Sequence, residues 1–231
     1  MDFSLSASAQ AMLLRLQEFV QTEVLPREAE YFAALQGGPD HRKWRQPDVM
    51  EQLKQKAKAA GLWNLFLPDP LHGPGLSTLD YAPLAEAMGW SFLLPELFNC
   101  NAPDSGNMEV LHRYGSTEQK ERWLKPLLAG EIRSGFAMTE PGVASSDATN
   151  IAATATIDGD DVICNGRKWW CSGIGHPNCR VLIFMGVSVP DAPKHQRHSM
   201  VLIPIDHKGV QIERMLPVFG AYDEPFGHGE V

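Results

Sequence analysis

The texture of the chain changes once, near residue 133, and no other feature constrains the fold as strongly. Before that point apolar residues recur at three- and four-residue spacing, the period of helices buried on one face. Met12, Leu13, Leu16, Phe19, Val20 and Val24 form one such stripe, which Pro26 is expected to end or kink. Val49, Met50, Leu53, Ala57 and Ala60 form a second stripe after Pro47, with Gly61 as its stop. Residues 67–76 carry Pro68, Pro70, Pro74, Gly73 and Gly75 and read as a fixed loop. Ser77 is placed to cap the next helix, and another is expected from Asp104 to Gly115. Ser116–Gln119 reads as a capping box for a last helix closed by Gly130.

After Arg133 the pattern is that of strands. Residues 151–157 are β-rich, Asp158-Gly159-Asp160-Asp161 reads as a hairpin turn, and Val162–Cys164 returns. Asn165-Gly166 is the strongest short turn signal in the chain. Residues 180–187, 199–205 and 210–216 complete the expected strands. A helical run followed by a strand run predicts an α+β fold, with an all-helical N-terminal domain over 1–133 and a mainly antiparallel β domain over 134–231.

Charge narrows the function classes. The net charge is −8, split evenly at −4 on each side of residue 133. An acidic balance without a basic arm argues against nucleic acid as partner. No apolar run approaches the ~18–20 residues of a membrane span. The first residues lack a secretory pattern and the four cysteines form no Cys-x-x-Cys, so a reduced, cytoplasmic setting is expected. The glycine patterns of dinucleotide folds and P-loops are absent.

Two segments carry candidate chemistry. Phe136–Asp147 packs hydroxyls, backbone N–H groups and a Pro141-Gly142 turn into a short stretch. It reads either as an ordinary Ser-rich loop or as a loop that wraps a flat polar ring. Asn165–Gly173 sets Trp169 and Trp170 beside Cys171 and Ser172. The pair reads either as one core and one surface Trp on alternate strand faces, or as a stacking platform with a donor beside it. Glu140 adjoins the first segment and reads as a structural carboxylate rather than a base. His195 and His198 stand at His-x-x-His spacing, but no third ligand is placed, so no metal site is expected.

Together these segments resemble the acyl-CoA dehydrogenase family. Its middle domain opens with an aromatic-x-hydrophobic-Thr-Glu-Pro-Gly stretch ending in Ser-Asp, as in Phe136–Asp147, and continues to an Asn-Gly-x-Lys-x-Trp-x-Thr/Ser stretch, as in Asn165–Ser172. The Val143–Asp147 form, with Asn99–Leu111 and Trp123–Leu128, is similar to the branch called members 10 and 11.

The resemblance implies an FAD-dependent dehydrogenation of an acyl-CoA thioester across Cα–Cβ, of the fatty-acid β-oxidation type. A non-catalytic flavin- or acyl-CoA-binding module and a related flavin oxidase are the alternatives. It implies that Phe136, Met138 and Thr139 lie along the flavin, that Trp170 packs on it, and that Cys171 and Ser172 face its reactive edge. Ser145 and Ser146 fall where the family meets the FAD pyrophosphate and the thioester tail, and which does which stays open. In chain order, Ser145 goes to the cofactor and Ser146 to the substrate. The base is expected from a further C-terminal helical domain of the family, so no catalytic residue is assigned within these 231. An electron-transfer flavoprotein as acceptor and a homo-oligomer are implied as well.

Overall fold

The computed structural model describes residues 3–35 and 37–231, which form two compact units. One contains the residues up to Leu35 together with Gln46–Gly130. The other contains the stretch ending at Arg45 together with Glu131–Val231. The first is helical and the second is built on two sheets, an α+β organisation.

In the helical unit, α1 (Ala7–Phe19) is capped by Ser6, whose side chain accepts from Ala9 N. Pro26 does not end the run. The chain widens into a π turn over Val20–Val24, tightens into a 3-10 turn over Leu25–Arg27 and resumes as α2 (Glu28–Ala34). Proline lies in the first turn of that short element, where its missing N–H leaves no bond unmade. Then follow α3 (Asp48–Ala59), α4 (Thr78–Met88), α5 (Leu94–Leu97), α6 (Asp104–Tyr114), α7 (Thr117–Gln119) and α8 (Lys125–Ala129). Ser77 and the Ser116–Gln119 box cap as their sequence predicts. Gly61 and Gly130 stop their helices at φ +68° and +70°. Leu16, Val20, Met50, Leu53, Leu84, Leu94 and Phe98 meet in the core of this unit. Among the described residues no helix is long and apolar enough to cross a membrane.

In the β unit, β1 (Arg133–Ala137) runs parallel to β5 (Cys179–Val187). β2 (Thr154–Asp158) and β3 (Asp161–Asn165) form a hairpin whose turn places Gly159 at φ +62°. β2 also joins β5, and β6 (His198–Pro204) pairs antiparallel with β5. The smaller sheet has the order β4 (Cys171–Ser172), β8 (His228–Glu230), β7 (Arg214–Met215).

Two local expectations need correction. Asn165-Gly166 makes no hairpin. Gly166 is there because a Cβ would fall 2.4 Å from Ala153 Cβ, so the pattern marks a close backbone approach. Residues 210–216 alternate as a strand, but only Arg214–Met215 is paired. β1, central to the site, has too little alternation to be read in advance.

The stretch ending at Arg45 is tied to the β unit by the Trp44 side chain and by Gly38 N, which donates to Glu224 Oε1 at 3.0 Å. Trp44 is 1% exposed, packs with Ile174 and Met215, and donates its indole N–H to Gly38 O at 3.1 Å. A Cβ at Gly175 or Gly227 would lie 2.5 or 2.6 Å from the Trp44 ring. Trp44→Ala is therefore expected to destabilise the β unit by about 3–5 kcal/mol in urea unfolding. Gly175→Ala should destabilise it through overpacking against the Trp44 ring and Phe226 O, and the double variant should be less than additive, because removing the ring relieves its share of that overlap while the carbonyl remains.

Candidate functional site

Where β1 ends, the chain enters a loop held by a buried ion pair. Lys168 Nζ lies 2.8 Å from Glu140 Oε1 and 2.8 Å from Met138 O, with both side chains almost fully buried. Glu140 also accepts from Ala153 N through Oε1 and from Ala152 N through Oε2, each at 3.0 Å. Burial alone would raise its carboxyl. The hydrogen bonds from Lys168, Ala152 and Ala153 and the ammonium charge outweigh that and hold it below the usual carboxylate range. Burial lowers the Lys168 ammonium against the opposing pull of Glu140. With both oxygens engaged, Glu140 is structural.

The two candidate segments lie side by side. Trp169 N donates to Thr139 O at 2.9 Å, and Thr139 Oγ1 donates to Trp169 O at 2.6 Å. Phe136 and Met138 are half-buried on the same run. Lys168 exchanges both backbone bonds with Val231, whereas Cys171 pairs with Gly229. Three residue steps on one side thus face two on the other, which defines a β-bulge at Trp169–Trp170. Trp170 takes up the extra residue at φ +52°, a left-handed conformation that is rare for a bulky side chain. The bulge leaves Trp170 41% exposed, with its ring 6.3 Å from that of His228. Cys171 points into the core, where burial pushes its thiol up to about 12. Ser172, half-buried, bonds His228 Nδ1 through Oγ at 2.8 Å, and His228 Nε2 faces Asp223 Oδ2 at 3.5 Å.

Thr139, Trp170 and Ser172 are therefore neighbours on one stretch of the β unit. The two serines of the loop part company. Ser145 is buried, and its Oγ accepts from Glu140 N at 2.6 Å, so its hydroxyl closes the loop on itself. Ser146 is exposed. A cavity of about 450 Å³ opens beside Ala137, Lys168, Phe184, Ile203 and Val210, so it adjoins the anchoring ion pair, although Phe136, Met138, Thr139, Ser145, Ser146, Trp170, Cys171 and Ser172 are not among its lining residues. His228 was not anticipated as a neighbour of Ser172. The only signal was its place between Gly227 and Gly229, which leave the strand open to close approach.

Comparison with known proteins settles the family. The pattern of the acyl-CoA dehydrogenase N-terminal domain matches residues 6–131, and that of the acyl-CoA dehydrogenase middle domain matches residues 135–231. The chain belongs to the acyl-CoA dehydrogenase family. It is 52% identical to FadE2 of Mycobacterium tuberculosis over 234 aligned residues, covering all of this chain and 56% of that protein. It is 51% identical to acyl-CoA dehydrogenase family member 11 of Mus musculus, covering 99% of this chain and 29% of that one. A solved Mycobacterium abscessus protein of acyl-CoA dehydrogenase type superposes with a TM-score of 0.90 at 58% identity, over 98% of this chain and 57% of that one. The chain thus spans about half the length of FadE2 and less than a third of member 11. The family is one of flavoprotein oxidoreductases of fatty-acid metabolism.

Glu140→Gln is expected to destabilise the chain by about 3–5 kcal/mol at neutral pH, because it leaves a buried ammonium without its counter-charge. Glu140 is held below its ordinary value, so its contribution is complete above about pH 5 and is lost as the pH falls through the lowered value. Urea midpoints measured across the acid range should show that loss in the wild type and a flatter profile in the variant.

Proposed function

We propose that the β unit seats the flavin of FAD on Thr139, Trp170 and Ser172, as part of an enzyme that dehydrogenates an acyl-CoA thioester across Cα–Cβ. The observation that carries this reading is the bulged Trp170. An indole held 41% exposed at a costly backbone angle, next in chain to the Trp169 that bonds Thr139 and two residues before the half-buried Ser172, is a surface suited to a flat ring with polar edges. When bound, FAD supplies the acceptor for a hydride.

The remaining roles belong to the chain. Trp170 covers one part of the ring and excludes water from it. Ser172 bonds to His228, which fixes the orientation of its hydroxyl at the edge of the seat. Thr139 spends its proton on Trp169 O, so in this arrangement it offers lone pairs to a donor on the ring. Turning it to donate gives up one hydrogen bond, a cost of about 0.5–1.5 kcal/mol. Ser145 acts as a loop brace, and the exposed Ser146 is left to meet the phosphate or thioester tail of a ligand. Phe136 and Met138 line the run leading to the seat, and Cys171 anchors it from the core side. Glu140 cannot take the α proton, because both its oxygens are committed. A different carboxylate must do so, and the resemblance assigns it to the family's C-terminal helices. That resemblance also supplies an electron-transfer flavoprotein as acceptor and a homo-oligomeric whole protein.

Trp170→Gly separates the seat from the fold. Glycine accepts φ +52° freely, which relieves about 1–2 kcal/mol of backbone strain and offsets the lost indole contacts. Stability should change little, while FAD affinity of the whole protein, read by flavin fluorescence, should fall at least tenfold. Thr139→Val and Ser172→Ala should each weaken affinity or shift the flavin potential. Unchanged affinity and potential in all three variants would remove the seat from this face. Anaerobic bleaching by a series of saturated acyl-CoAs tests the reaction class independently.

A further inference from the structure

Far from the flavin seat in sequence, the Pro-rich loop of the helical unit brings three metal-ligating side chains together. Asp69 and His72 come from the loop and His112 from the last turn of α6. One ligand atom of each lies within 4.8 Å of the other two. Asp69 Oδ2 stands 3.0 Å from His112 Nε2, and the His72 and His112 rings meet edge to face at 5.8 Å. Asp69 and His112 are partly covered and His72 is exposed, so the cluster opens to solvent.

We infer that Asp69, His72 and His112 form a binding site for a first-row divalent transition metal such as Zn²⁺. Nitrogen and oxygen ligands sit about 2.0–2.2 Å from zinc, so two ligand atoms on one ion stand roughly 3–3.5 Å apart. The Asp69–His112 pair already meets that spacing. The remaining distance, up to 4.8 Å, lies at His72, whose side chain is exposed. The carboxylate is pre-aimed, because Leu71 N holds Oδ1 at 2.8 Å and leaves Oδ2 for the ion.

The loop itself is stiff. Asp69 O accepts from His72 N and Gly73 N at 3.1 and 2.8 Å, and Asn64 Nδ2 donates to His72 O at 3.2 Å. A Cβ at Gly73 would lie 2.6 Å from Leu67 O. Little ordering entropy is therefore left to lose on binding. The 3.0 Å contact joins Asp69 to His112 and the ring contact joins His112 to His72, so the three ligand atoms already share one small region that a single ion would unite. Two imidazoles with one carboxylate select zinc, cobalt, nickel or copper over calcium or magnesium, which take oxygen ligands. Water completes the shell. The bound ion would clamp the loop over 67–76 to α6 within the helical unit.

The test is calorimetric titration of the tag-free whole protein with Zn²⁺, repeated with Co²⁺ followed by visible absorption. Wild type and a His195→Asn control should bind one ion per chain. His72→Asn and His112→Gln should each bind at least tenfold more weakly. His72 is exposed, so its variant folds and keeps the test decisive even where His112→Gln does not. No saturable binding up to millimolar metal, equal affinity in His72→Asn and wild type, or loss of binding in the His195→Asn control would each overturn the site.

Discussion

Glu140 and Lys168 lie side by side where β1 leaves its sheet, and the geometry of the candidate seat hangs on them. The carboxylate gathers Ala152 N, Ala153 N and the ammonium, while the ammonium also reaches Met138 O and faces the Phe184 ring at 5.0 Å. Three separate stretches of chain are thereby fixed to one point: the loop after β1, the approach to β2, and the bulged stretch before β4 that carries the two tryptophans. Measured against a well-packed apolar replacement, such a pair adds little net stability. Its effect is on which arrangement forms. Any shift of the loop along its neighbours would strand a buried charge or orphan two backbone donors, so the alternatives are excluded by cost.

That fixed point makes the strained Trp170 possible. A left-handed tryptophan costs about 1–2 kcal/mol and survives only where the surroundings over-determine it. Here every neighbour is pinned: Lys168 to Val231, Trp169 to Thr139, Cys171 to Gly229 and Ser172 to His228. Glu230 adds a further tie, since Arg214 and Arg167 both pair with its almost fully buried carboxylate and hold it below the usual range. The extra residue of the bulge has nowhere to go except outward, and the indole goes with it.

The helices were legible because their signals are local. Ser77, the Ser116–Gln119 box, Gly61 and Gly130 each act within one turn of chain, and each does what its residue type dictates. What could not be read depends on contacts distant in sequence. Asn165-Gly166 looks like a hairpin because the backbone approach of Ala153 is invisible from its own neighbourhood. The bulge at Trp170 is a mismatch of register between residues 168–171 and 229–231, and no single stretch contains it. The pairing of Ser172 with His228 joins residues 56 apart. Ser145 and Ser146 were indistinguishable as neighbours in one Ser-rich loop, and only burial separates a brace from a presented hydroxyl.

Removing two hydrogens from adjacent carbons needs a group for the α proton and another for the β hydride, acting together on the same substrate. On the proposed reading, the β unit is furnished for one of these tasks. The groups at the proposed seat are an exposed indole and two half-buried hydroxyls, and the nearby carboxylate is consumed by structure. This division has a physical logic. A base poised to accept a proton must be uncommitted and partly desolvated, whereas the loop that shapes a ring-binding face needs every polar group satisfied. Placing both in one buried loop would set them against each other, because a Glu140 free to take protons could not also hold Lys168, Ala152 and Ala153. A fold that keeps Glu140 fully engaged gains a rigid loop, and on the proposed reading the base lies on another element.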